Sequence, residues 1–314
     1  MIRIPVALVA LVLVCMTSTA VAHQAAPREV PSAEPPIDIA GVARFYKVYD
    51  AAGGHPSAEQ LQTDYLDPGS DGLHRLAKLR NVTGASIAKA IAKSPAIYSG
   101  AKRCMAVLPR VRRRLQMAIE TFRRLYPEAG IAPVTIAVGR GKPVGVTDAS
   151  GVMIGLEALC AVTWLDPNVE DRFVHVIAHE YAHVQQARKA PAIYNDKKPT
   201  VLEESLIEGA AEFAGEMISG QVAYAQFKTS TKGREKEIET AFVRDEDKTD
   251  LSDWLYNGTM KKPGDLGYWV GYRIVKSYYQ HAADKRHAFR DILEMTDPKA
   301  FLAKSGWYPG IRLR

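Results

Sequence analysis

Apolar residues recur at helical spacing over three stretches in the first half of the chain, about 38–52, 71–93 and 102–126. In the third, Val111, Leu115, Ile119 and Phe122 form one stripe, with Arg110, Arg112, Arg113 and Arg114 beside it. That arrangement predicts an amphipathic helix with a basic wet face rather than a polyanion site. The texture changes at Pro127. Val134-Thr135-Ile136-Ala137-Val138 and Val152-Met153-Ile154-Gly155-Leu156 are short β-branched runs separated by a Gly-rich turn over 139–151, and they predict neighbouring strands. From about 169 the pattern is helical again to near Ser305. The chain therefore reads as α+β, predominantly α, with a small mixed sheet inserted before its most informative helix and a C-terminal helical part.

The N-terminus adds a location. Arg3 precedes an apolar run over 4–16, and Ala20-Val21-Ala22 follows, which together have the form of a secretory signal peptide cleaved after Ala22. Export to a bacterial periplasm or beyond is the expectation. The run is short for a bilayer, and no later segment is long enough to span one, so the mature chain is expected to have no membrane span. Pro27, Pro31, Pro35 and Pro36 then mark a linker. The expected organisation is a signal peptide over 1–22, a Pro-rich linker over 23–37, a helical region over 38–130, a main domain over 131–305 and a tail over 306–314. Cys104 and Cys160 remain after cleavage, and pairing and two buried thiols stay open as alternatives.

Composition excludes more than it selects. The 314 residues are 47% hydrophobic and 24% charged, which sets aside disorder, collagen and coiled coil. The net charge of +6 comes from 41 basic against 35 acidic residues, too slight a tilt to imply a nucleic-acid partner.

The chemistry concentrates in Phe173-Val174-His175-Val176-Ile177-Ala178-His179-Glu180-Tyr181-Ala182-His183-Val184. A helix apolar around most of its circumference is buried. Burying imidazoles and a carboxylate without partners costs several kcal/mol, so something must satisfy them. His179 and His183 are four apart and can grip one tetrahedral metal, with Glu180 beside them to take a proton from an activated water. His175 is one turn further back. Residues at i, i+4 and i+8 of one helix cannot all reach one ion, because the outer two are about 12 Å apart along the axis. His175 is therefore expected as a core or supporting histidine.

A catalytic zinc site needs a third protein ligand. Thr200 and Glu203 form a capping pair that starts a helix after Pro199, and Glu204, Glu208, Glu212 and Glu216 then recur every four residues. Gly209, Ala210 and Ala211 permit close approach to a second helix, and a metal would relieve the repulsion between like charges at that spacing. Glu208 is thus expected as the third ligand, and Glu212 as the acceptor holding a ligand histidine's other N–H. The expected cofactor is one zinc ion per chain.

The order His179-Glu180-x-x-His183 followed by Glu208-Gly-x-Ala-x-Phe213 resembles the gluzincin metallopeptidases, the thermolysin and aminopeptidase-N clan. Overall the chain is most similar to the bacterial family of predicted zinc-dependent proteases, over about 134–305. The resemblance implies an active-site helix, an edge strand for substrate and C-terminal helices closing a cleft. It also implies a role for Tyr268: Tyr268-x-x-Gly271 looks like the aminopeptidase-clan stretch whose tyrosine stabilises the developing oxyanion, with Tyr272, His281 and His287 as further candidates. Two departures stand out. The gap from His183 to Glu208 is longer than in either reference group, and the aminopeptidase motif that anchors a free N-terminus is absent from 152–157. The expected function is a secreted zinc metallohydrolase acting on peptides or proteins, with Glu180 as general base. The strand 152–156 would pair with an extended substrate, and Glu157 would be either a reader of a substrate cation or a surface carboxylate. A metal-stabilised binding or scaffold protein, and a hydrolase of cell-wall amide crosslinks, are the alternatives.

Overall fold

The structure, a computed structural model, describes residues 36–142, 144–259 and 264–314. The signal peptide, its cleavage position and most of the Pro-rich linker lie outside the described residues. Four short strands, β1 (Ile37–Asp38), β2 (Val134–Ala137), β3 (Gly145–Asp148) and β4 (Gly151–Gly155), make one sheet in the order β1-β2-β4-β3. β1 and β4 run parallel to β2, and β3 runs antiparallel to β4, so the sheet is mixed. β2 and β4 are buried along their whole length, as their unbroken apolar runs require. β3 is a strand within the stretch expected as a Gly-rich turn. Its four residues, Gly-Val-Thr-Asp, hold two β-branched side chains between a Gly and an Asp that disfavour strands, too short a run to announce it.

Helices account for most of the remaining chain, so the fold is α+β and predominantly α. The expected helix over 71–93 is two helices, Asp71–Arg80 and Gly84–Lys93. Asn81 is left-handed at φ 50° and ends the first, while the Thr83 hydroxyl accepts the Ser86 N–H and starts the second. The stretch over 102–126 begins as a tight 3₁₀ turn, Lys102–Val107, and becomes α-helical from Leu108, where Pro109 fits the first turn. Helices on either side of the sheet in sequence share one core: Phe122 packs edge-on against Tyr181 and Phe289 at 5.7 and 5.9 Å between centroids. Cys104 and Cys160 are joined by a disulfide buried in that core. Cross-linking residues 56 apart restricts the unfolded chain by about 4 kcal/mol in the loop-entropy account.

Three helices position the site. The motif helix (Val169–Lys189) is capped by Asn168, whose side chain accepts the Glu170 and Asp171 N–H groups. Arg172 in its first turn is buried and donates to the carbonyls of Asp166, Leu159 and Cys160. The glutamate helix (Val201–Ser219) starts at Thr200, whose hydroxyl accepts the Glu203 N–H, and stops at left-handed Gly220. The tyrosine helix (Leu266–His281) crosses it at a pair of glycines. A Cβ on Gly209 would lie 2.1 Å from the Gly271 carbonyl carbon, and one on Gly271 would lie 1.7 Å from the Ser205 oxygen. Gly215 plays the same part toward the motif helix, where a Cβ would come within 3.2 Å of the His179 nitrogen.

Candidate metal centre

Successive turns of the motif helix bring His179 and His183 to one face, both buried, with their Nε2 atoms 3.1 Å apart. From the glutamate helix, Glu208 Oε2 reaches both, at 3.2 Å from His179 Nε2 and 3.1 Å from His183 Nε2. The outward-facing ring nitrogens are also engaged. His179 Nδ1 lies 2.9 Å from Glu212 Oε1, and His183 Nδ1 lies 2.6 Å from Gln186 Oε1. Gln186 is itself fixed, because its amide donates to the Ile207 carbonyl and leaves only the oxygen for the histidine. The Gln186 oxygen at His183 Nδ1 and the Glu212 carboxylate 2.9 Å from His179 Nδ1 favour protons on those nitrogens, so each Nε2 of a neutral ring presents a lone pair. Two such lone pairs and a carboxylate oxygen converge, a donor set that a cation satisfies and that suits zinc. His179, His183 and Glu208 are also the cluster able to hold a metal among the described residues.

Without a cation the same field draws a proton. Burial by itself would lower the His179 pKa, but Glu208 and Glu212 override it and raise it to about 10. Burial opposes ionisation of Glu208 as well, yet the two histidines hold it far below the usual carboxylate range.

Glu180, next in sequence to His179, points instead to the sheet. Its Oε2 accepts a short hydrogen bond from the Thr147 hydroxyl on β3. Gly145, two residues back on the same strand, leaves the room: a Cβ there would sit 2.5 Å from Glu180 Oε1. Tyr194 completes this side, with its hydroxyl donating to the Thr147 carbonyl at 3.2 Å and its ring 5.7 Å from that of His183. Together these groups line an open cleft of about 790 Å³. Among the described residues, Arg80 and Lys142 are cations on its wall, against Glu180, Glu204, Glu208 and Asp265.

Tyr268 lines the same cleft, and its ring stacks on His179 at 5.9 Å and 13°. Burial, reinforced by the Glu208 charge, holds its phenol well above the ordinary value, so it is a proton donor at neutral pH. The further candidates lie elsewhere. The Tyr272 hydroxyl donates to Glu216 at 2.7 Å and accepts from Lys276. His281 contacts the Ser277 carbonyl, and His287 is exposed beside Arg290. His175 is buried against the Ser219 hydroxyl at 2.8 Å, as a supporting histidine should be.

Two expectations are corrected. The strand 152–156 cannot receive substrate as an edge, because β4 is hydrogen-bonded to β2 on one side and β3 on the other; β3 is the edge that borders the cleft. Glu157 is neither a substrate reader nor a surface carboxylate. It is 1% exposed, and it accepts the N–H groups of Gly139 and Gly141, so it shapes the loop that leads into β3.

Sequence reasoning missed Thr147, Tyr194 and Tyr256. The Tyr256 hydroxyl lies 3.0 Å from Glu208 Oε1 and also meets Glu204 Oε1. The phenol hydroxyl is thus the donor that faces both carboxylates, and burial and the neighbouring Glu208 charge raise the Glu204 pKa. These residues sit on a short strand, a one-turn helix and a loop with no periodic pattern, and only the fold brings them to the motif.

Residues 146–297 match a family model described as "Predicted Zn-dependent protease (DUF2268)". The match begins inside β3 and takes in the motif helix, the glutamate helix and the tyrosine helix. No curated protein and no solved structure matches the chain.

Proposed function

We infer that this chain, a member of the predicted Zn-dependent protease family over residues 146–297, is a secreted zinc metallohydrolase that cleaves peptides or proteins. The observation that carries the reading is the convergence of two histidine Nε2 lone pairs and one carboxylate oxygen, beside a carboxylate that stands apart from them. His179, His183 and Glu208 would hold a zinc ion, which when bound would supply Lewis acidity to activate a water near neutral pH. Glu212 and Gln186 keep the two imidazoles in the tautomer that presents Nε2. Glu180 accepts the proton of the attacking water and returns it to the leaving amine, and the Thr147 hydroxyl orients its carboxylate for that task. The free edge of β3 offers backbone groups to an extended peptide, as β-augmentation requires. Tyr268, stacked on His179, donates its phenolic proton toward the oxygen on which negative charge grows.

A scaffold has no use for Glu180, so that residue provides the test. Glu180→Gln should leave zinc content and melting temperature nearly unchanged while cleavage of a mixed peptide library drops by about 10²–10⁴. Equal turnover by the variant would remove Glu180 as the base. The buried disulfide supports export, since disulfides persist in oxidising compartments.

A further inference from the structure

Glu208 uses its two oxygens differently. Oε2 is the atom that meets both histidines, at 3.2 and 3.1 Å, while Oε1 lies 3.0 Å from the Tyr256 hydroxyl. Burial of the ring does not explain that contact, because Tyr256 is 59% exposed. Its backbone argues for a constraint as well. Tyr256 has φ 57°, one of three left-handed non-glycine residues among those described. A bulky side chain held there is strained, and such residues persist where the surroundings over-determine them, commonly at functional sites.

The surroundings here do so. Asp265 is buried, and its Oδ1 accepts the Asn257 and Gly258 N–H groups at 2.9 and 3.3 Å, while Asn257 Oδ1 accepts the Asp265 N–H at 2.7 Å. Asp265 Oδ2 accepts from the Tyr224 hydroxyl at 3.1 Å. This clasp, immediately after Tyr256, fixes the turn that sends the phenol into the cleft. There it lies edge-on to Tyr268 with 6.4 Å between centroids.

We propose that Tyr256 is a positioning residue for Glu208, holding one carboxylate oxygen so that the other alone is presented to a metal shared with His179 and His183. The inference rests on the zinc reading of the site. A carboxylate can bind a cation through one oxygen or two. Holding Glu208 to one leaves a coordination position open, which a catalytic site needs and a closed structural site lacks. The strained backbone of Tyr256 is the cost of delivering a hydroxyl from a loop to a ligand on a helix.

The test uses the full mature chain, stripped of metal, and two probes: zinc in competition with a chromophoric chelator, and cobalt(II) read by its visible absorption. Tyr256→Phe keeps the ring and deletes the hydroxyl. It should weaken zinc binding by about 10–100-fold, and it should change the cobalt bands as the freed carboxylate alters the coordination. Tyr256→Gly relieves the left-handed backbone, so it should weaken zinc binding similarly without lowering the melting temperature of the metal-free chain. Zinc affinity within a few-fold of the native chain and an unaltered cobalt spectrum in Tyr256→Phe would overturn the proposal. Glu208→Gln separates the two failures. If it and the native chain bind zinc alike, the metal reading itself falls; if it loses zinc while Tyr256→Phe does not, only the role of Tyr256 falls.

Discussion

His179 carries opposed demands that decide how the site loads. Burial disfavours its charge, and two carboxylates more than offset that, so the metal-free ring stays protonated up to a pKa of about 10. Zinc needs the neutral ring. At pH 8, which lies below that pKa and above the ordinary imidazole value, zinc must therefore displace at least one proton from the site. Calorimetric titration in buffers of different ionisation enthalpy should show that release, and zinc affinity should rise with pH up to about 10. A binding enthalpy independent of the buffer would contradict the arrangement. Tyr268 is the other residue whose part is decided by a single atom. Tyr268→Phe retains the ring that stacks on His179 and removes only the hydroxyl. A donor to the oxyanion predicts a fall in kcat of about 10²-fold or more with little change in KM, zinc content or thermal stability. A shift in stability alone would make Tyr268 a packing residue.

At the scale of elements, the site is a meeting of three helices and one edge strand, and each junction depends on a missing side chain. Gly209 and Gly271 let the glutamate and tyrosine helices cross in backbone contact, which sets how near Tyr268 stands to Glu208. Gly145 does the same between β3 and Glu180. In Gly145→Ala the new methyl group would meet the Glu180 carboxylate at 2.5 Å, so the side chain must move away from Thr147. The expected result is a drop in kcat of about 10²-fold, the scale of a misplaced catalytic group, with zinc content retained because Glu180 is not in the donor set. Full activity in that variant would mean that Glu180 works from another position. The elements also divide by how legible they were. Motif helix and glutamate helix declared themselves through period and capping, since both are long and buried on defined faces. Their candidate ligands, His179, His183 and Glu208, are brought together in the fold, and spacing on a helix, which fixes direction, made that convergence legible. β3 is four residues long, and it announced neither its pairing nor its place at the edge. Hence the pattern points to β4 as the strand for substrate and to Glu157 as a cation reader or a surface carboxylate, whereas β4 is paired on both sides and Glu157 is buried.

Across the whole molecule, what the pattern could not reveal is what long-range packing assembles. Thr147, Tyr194 and Tyr256 come from a strand, a short helix and a loop, and they converge on one cleft only in the folded chain. The helices ahead of the sheet share its core, and the disulfide ties Cys104 among them to Cys160 just before the motif helix. Glu157, sharing the short helix Leu156–Ala161 with Cys160, holds the loop that enters β3. The first hundred residues of the described chain thus support the edge strand indirectly. The central claim, that His179, His183 and Glu208 hold one zinc for hydrolysis, is tested most directly by titrating zinc into the metal-stripped chain while following peptide cleavage. Activity should be absent at the start, rise with added zinc and saturate at about one equivalent per chain. Cleavage that persists without metal, or a chain that binds its equivalent of zinc and cleaves nothing, would contradict it.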